Sequence, residues 1–280
     1  MTNNILNRFD PLHKGHAIEQ VIFAFQFDSE IDEASLKEIG KAIPKDDDLP
    51  GRAEMRGVKL AIGMGLIPQQ PAIPMPTPSL AGFTFSKSRS DGTVETELIA
   101  SRSSFVYRTL FYTRWSENWA STKKYLKILC AIYSPQAKLA SISLSYVDKF
   151  VWQGPADCEP RSILRTNSRY LNPYIFETSD LWHSHTGAFV RSDDQTKRLI
   201  NVNIDYVDEH VEEAVRRAVV VKTVLADNFN QEGFATTDFP NGESVVELID
   251  SHMQQLHELD KEILGDIINL EMAKRIALED

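Results

Sequence analysis

Cysteine is scarce in this chain of 280 residues, which holds two, Cys130 and Cys158. They show neither CxxC spacing nor a framework of further cysteines. That excludes a disulfide scaffold or a thiolate metal centre as the organising feature. Long apolar runs are lacking as well. None approaches the ~18–20 residues that a helix needs to cross a bilayer, so no membrane association is expected. The opening MTNNILNRFD has no apolar core of the kind that marks a secretory leader, and the expectation is a cytoplasmic protein. Positive charge is in deficit: 30 Lys and Arg against 40 Asp and Glu give a formal net charge of −10. That balance argues against non-specific binding to nucleic acid and favours a protein partner or a cationic ligand. Walker, HExxH and GxSxG motifs are missing, and no cofactor or metal is implied.

Hydrophobic residues make up 42% and charged residues 25% of the chain, as in ordinary globular proteins. The length suits one large core or two small ones. Residues 1–16 are polar and broken by Pro11 and Gly15, and read as an N-terminal arm. From Ala17 to Phe27 the sequence alternates, so Val21, Phe23, Phe25 and Phe27 would share one face of a strand. Asp32 is placed to cap a short helix with Leu36, Ile39 and Ile43, which Pro44 ends. The aspartates at 46–48 read as a solvated turn, because they lack the alternating spacing of a calcium loop. A strand is expected over residues 54–63, then an extended connector with Pro68, Pro71, Pro74, Pro76 and Pro78. Three strands follow as a meander, 82–88, 94–102 and 104–110, with Asp91-Gly92 at the first turn. A helix running to about Tyr133 would bury Trp115, Trp119, Leu126, Leu129 and Tyr133.

Residues 137–152 read as a further strand, with Ile142, Leu144 and Tyr146 on one face. The irregular stretch 154–180 carries Arg161, Arg165 and Arg169 at a spacing of four. On a helix these would form one basic face, a candidate docking site for an acidic partner or, alternatively, for nucleic acid. Residues 181–191 and 197–207 read as a hairpin, and 214–228 as another strand. Val245, Ile249, His252, Leu256, Leu259, Ile263, Ile267 and Leu270 recur at helical spacing in a long terminal helix. Leu256, Leu259 and Ile263 would either cover the sheet or meet a partner, and cover is favoured because the sheet needs an apolar lid. His252 reads as a core histidine, and His183 with His185 as a polar strand face. The expected fold is α+β, a large twisted mainly antiparallel sheet with helices packed on one face. It divides into halves at 17–136 and 137–280, an order compatible with a duplicated β-α-β-β-β-α unit.

Residues 9–16 spell FDPLHKGH. His13, Gly15 and His16 match the HxGH signature of adenylyl- and cytidylyltransferases, whose histidines steady nucleotide phosphates. That arrangement needs an apolar strand and a glycine before the motif and a helix after it. Residues 3–8 supply neither strand nor glycine, and AIEQVIFAFQF alternates as a strand. Nucleotidyl transfer through His13 and His16 is therefore the alternative, not the leading expectation.

A second likeness covers nearly the whole chain. Residues 17–27, then Tyr112-Thr113-Arg114-Trp115, Leu144-Ser145-Tyr146-Val147-Asp148, Val202-Asn203-Ile204-Asp205 and Leu256-His257 follow the order of a sporadically distributed bacterial family of unknown function, which the chain resembles. The family pattern has arginine where this chain has Ser145 and asparagine where it has Asp148. The resemblance implies no activity. It implies an accessory role, such as phage defence or a toxin–antitoxin module. The function expected is thus that of a non-enzymatic interaction subunit with a protein partner. Pairing through sheet edges or the last helix would also give a homodimer.

Overall fold

The structure, a computed structural model, describes residues 8–57, 78–154, 158–193, 195–211, 214–229 and 243–278. Its strands are β1 (Phe9–Pro11), β2 (Ile18–Phe27), β3 (Gly51–Gly57), β4 (Ser79–Ser88), β5 (Val94–Ser101), β6 (Ser104–Thr109), β7 (Leu139–Trp152), β8 (Trp182–Arg191), β9 (Thr196–Val211) and β10 (Ala214–Phe229). Its helices are α1 (Glu33–Ala42), α2 (Trp115–Tyr133), α3 (Glu243–Ile267) and α4 (Leu270–Arg275). Nine strands form one sheet in the order β3-β4-β5-β6-β2-β7-β10-β9-β8, and β1 pairs with the end of β7. Every pairing is antiparallel. The α+β expectation holds at this level. No helix among the described residues is long and apolar enough to cross a membrane.

Alternation decides which side of the sheet is covered. Val21, Phe23, Phe25 and Phe27 point to one side of β2 and are buried. Their partners across the pairing, Tyr146, Leu144 and Ile142 on β7 and Tyr107 and Phe105 on β6, are buried on the same side. Burying such side chains stabilises by about 1.5–3 kcal/mol each. The helices lie on this side. Tyr133 of α2 stacks on Phe27 with ring centroids 4.4 Å apart, and Trp119 lies 5.5 Å from Phe23. The helix α1 starts where Asp32 accepts a hydrogen bond from the Ser35 N–H at 2.8 Å, a side-chain N-cap.

The helix α3 is fastened by charge as well as by apolar contact. Arg198 of β9 donates to both carboxylate oxygens of Asp227 at 2.6 and 2.8 Å, and His252 Nδ1 lies 2.7 Å from the same carboxylate. Asp227 is completely buried. Burial alone would raise its pKa, but the two partners outweigh it and hold the carboxyl below its ordinary value. The core reading of His252 therefore has a specific partner.

On the side of the sheet away from the helices, one cross-strand row runs through Ala53, Thr84, Ile99, Val106, Ala24, Ser143, Ala226, Leu199 and Phe189. It carries no charged residue along its length. Lys149 faces the same side and is tied to Glu19 at 2.6 Å and Glu209 at 3.2 Å.

Four expectations need correction. Residues 9–11 are not a loose arm: β1 pairs with β7, and Phe9 is buried edge-on against Trp152 at 5.2 Å. The strand expected over 54–63 begins earlier, as β3, while residues 58–77, with Pro68 through Pro76, lie outside the described residues. Arg161, Arg165 and Arg169 share no helical face, because among the described residues the helical turns of this stretch are the short 3₁₀ segments Pro160–Ser162 and Pro173–Glu177. The terminal stripe is two helices. The chain breaks at Ile268, where Asn269 donates its N–H to the Ile163 carbonyl at 2.7 Å and caps α4 through the Met272 N–H. Leu270 consequently falls out of the stripe and is exposed.

Candidate ligand site

The site arises from a defect in pairing. Ile18 of β2 pairs with Asp148 of β7, but Gln20 pairs with Val147, so Glu19 is a bulge residue. The neighbouring β6 has already ended at Thr109, opposite Val21. On the helix side, Asp148 therefore faces a space that no strand fills. Residues 15–18, residues 112–116, the second half of α3 and residues 276–278 line it as a cavity of about 740 Å³ that stays open to solvent on one side. That is the size of small-molecule sites, roughly 300–1,000 Å³.

Its floor is acidic. Asp148 is 2% exposed, and its Oδ1 has no hydrogen-bond partner. Asp260, from α3, is equally enclosed and accepts the Thr223 hydroxyl on Oδ1. Burial drives both carboxyls well above the ordinary carboxylate range; for Asp148 the neighbouring Asp260 charge adds to it, and for Asp260 the Thr223 hydrogen bond opposes it. A buried acceptor left unmatched costs about 1–3 kcal/mol.

The walls are aromatic and anchored. His257 lies flat on Trp115, ring centroids 4.1 Å apart, and its Nδ1 meets the Tyr146 hydroxyl at 3.2 Å. Burial lowers the His257 pKa to about 4. Trp115 donates its indole N–H to Gln254 at 2.8 Å. Tyr112 packs edge-on between Tyr146 at 6.0 Å and His16 at 5.3 Å. His16 Nδ1 is buried without a partner, and burial together with the nearby His13 lowers its pKa.

The rim has the opposite character. The N-terminus of α2 opens onto the cavity through Thr113, Arg114, Trp115 and Ser116. Arg114, the N-cap residue, makes no capping hydrogen bond. The first N–H groups of such a helix carry partial positive charge. Lys261 of α3 lines the same cavity. Glu117, the acid of that first turn, is engaged by the Thr113 hydroxyl at 2.6 Å.

The residues singled out from sequence scatter relative to this cavity. His16 lines it; His13 lies beside His16, ring centroids 4.7 Å apart, in a turn closed by its own N–H to the His16 carbonyl. The helix that an HxGH site needs is here the strand β2, in an antiparallel sheet. Arg161 donates to the Phe176 carbonyl, Arg165 to the Gly265 carbonyl, and Arg169 sits 3.7 Å from Asp266. Leu256 and Ile263 are fully buried and Leu259 packs against the core, so this stripe is sheet cover. Asp148, Asp260, His257, Tyr112 and Tyr146 were not picked out as site residues. Among the described residues no group of three or more His, Cys, Asp or Glu side chains could hold a metal ion.

Compared with known families, curated proteins and solved structures, the chain matches none. Four of the segments that carry the family resemblance nonetheless meet at one place. Ala17 and Ile18, Tyr112 through Trp115, Tyr146 with Asp148, and His257 all line the cavity.

Proposed function

We propose that this protein is a small-molecule-binding sensor subunit, acting through a protein partner rather than as a stand-alone catalyst. One observation carries the reading: the buried, unmatched Asp148 carboxyl at the floor of an open-mouthed cavity. A fold that merely needed an apolar floor would have no use for a carboxyl there. Most of the surrounding polar groups are already committed to one another, Tyr146 to His257, Thr223 to Asp260 and Trp115 to Gln254. Such anchoring leaves a few fixed groups to recognise a ligand. The resemblance to a sporadically distributed bacterial family supplies the proposed setting, an accessory system such as phage defence or a toxin–antitoxin module.

The test is thermal unfolding of the full chain with protein-free small-molecule fractions of a bacterial extract. At least one fraction of small molecules is expected to raise the melting temperature of the wild type and not of Asp148→Asn. No shift with any fraction contradicts the reading. Consumption of the active molecule by the protein would instead make Asp148 and Asp260 an acid–base pair.

A further inference from the structure

We propose that the cavity binds a free α-amino acid, its ammonium group on Asp148 and Asp260 and its carboxylate at the N-terminus of α2. This rests on the ligand-binding reading above and names the ligand class. The floor and the rim ask for opposite charges. Asp148 Oδ1 has no donor, and Asp260 has one, from Thr223, with lone pairs to spare. An ammonium group brings three donors and a full positive charge to the same point. Among the described residues neither carboxyl has an ion pair. Lys149, next to Asp148, faces the other side of the sheet and is held by Glu19 and Glu209, and Lys261, next to Asp260, lies 3.7 Å from Glu258.

A simple amine would satisfy the floor and leave the α2 terminus empty. A simple anion would suit the terminus and be repelled by the carboxyls. A zwitterion meets both ends with no net charge of its own, its ammonium toward Asp148 and Asp260 and its carboxylate toward Arg114 and the start of α2. The carboxylate would lie against the first N–H groups of α2, a natural anion seat, with Arg114 beside it. Ile18, Leu264, Ile276, Leu278 and the Trp115 ring line the same cavity, an apolar surface for a bulky side chain. The buried carboxyls, raised while unmatched, would regain their charge on meeting the ammonium. The volume of about 740 Å³ accommodates such a side chain with water beside it.

Calorimetric titration of the full chain with the common amino acids tests this. At least one with a bulky apolar side chain is expected to bind. Its N-acetyl and its carboxamide derivatives should each bind about tenfold or more weakly, since each loses a charge-assisted contact. Asp148→Asn, checked for folding by its melting temperature, should lose affinity for the free amino acid by a similar factor. Arg114→Ala, at an exposed position, should weaken the free acid and leave the carboxamide unchanged. Binding that survives N-acetylation overturns the proposal, as does binding of plain amines equal to that of amino acids. If no amino acid binds while an extract fraction still stabilises the wild type, the amino-acid assignment falls and the ligand-binding reading survives. If neither binds, both fall.

Discussion

The imidazole of His257 lies parallel to the indole of Trp115, within 6°, and its Nδ1 receives the Tyr146 hydroxyl at 3.2 Å. A pKa of about 4 keeps that ring neutral at pH 7. In the unfolded chain a histidine binds its proton near pH 6.5. Between these values the unfolded state holds more protons than the folded one, so stability rises with pH across the window. His257→Phe should remove about 1–2 kcal/mol of the difference in stability between pH 4.5 and pH 7, allowing for partial exposure. Urea unfolding at the two pH values measures it, and an unchanged difference counts against a buried neutral imidazole.

Asp148 and Asp260 act in the opposite sense. Their folded pKa values stand above the unfolded one, so the folded state holds more protons above about pH 4. Their contribution is present in acid and is lost as pH rises through the raised values. Asp148→Asn keeps the shape and removes the charge. It should stabilise the empty protein by about 1–3 kcal/mol at pH 8 and have little effect at pH 4. A loss of stability at pH 8 would mean that Asp148 is structurally paired.

Ala277 occupies the left-handed region with φ 51° at the end of α4, where Leu278 donates its N–H back to the Ala273 carbonyl. Helix ends of this form favour glycine because a Cβ is strained there. Ala277→Gly should therefore stabilise the protein by about 0.5–1 kcal/mol. Calorimetric melting checks the sign, and a lowered melting temperature contradicts the assigned end of α4.

The sheet was legible where one face is apolar and the other polar. Phe23, Phe25 and Phe27 are the clearest case, since an alternating strand between two neighbours has few other ways to bury them. The cavity was not legible, for a physical reason. Asp148, Tyr112 and His257 come from three distant segments, and what makes Asp148 unusual is an unmatched oxygen and a one-residue bulge at Glu19. Neither leaves a mark in composition or period. The arginines at 161, 165 and 169 misled because spacing of four has meaning only on a helix, and Pro160 and Pro173 belong to a stretch of tight turns.

Stability should follow the sheet and not the histidine motif. Phe25 stacks on Phe105 at 4.5 Å inside the core, and Phe25→Ala should cost about 3–5 kcal/mol. Asp227→Ala should cost a comparable amount by leaving Arg198 buried without its counter-charge. His16→Ala, which removes an unmatched ring nitrogen, should cost below about 1 kcal/mol. Denaturant midpoints rank the three, and a His16 variant as damaged as the Phe25 variant would contradict the placing of β2.

The account turns on Asp148 and Asp260 being buried and short of partners in the empty protein. Carbon-13 NMR of aspartate-labelled full chain, titrated from pH 3 to pH 9, reads this directly. Two carboxyl signals are expected to titrate well above the ordinary aspartate range of about 4, and Asp148→Asn should remove one and lower the other. A spectrum in which every aspartate titrates at or below the ordinary value would contradict the account.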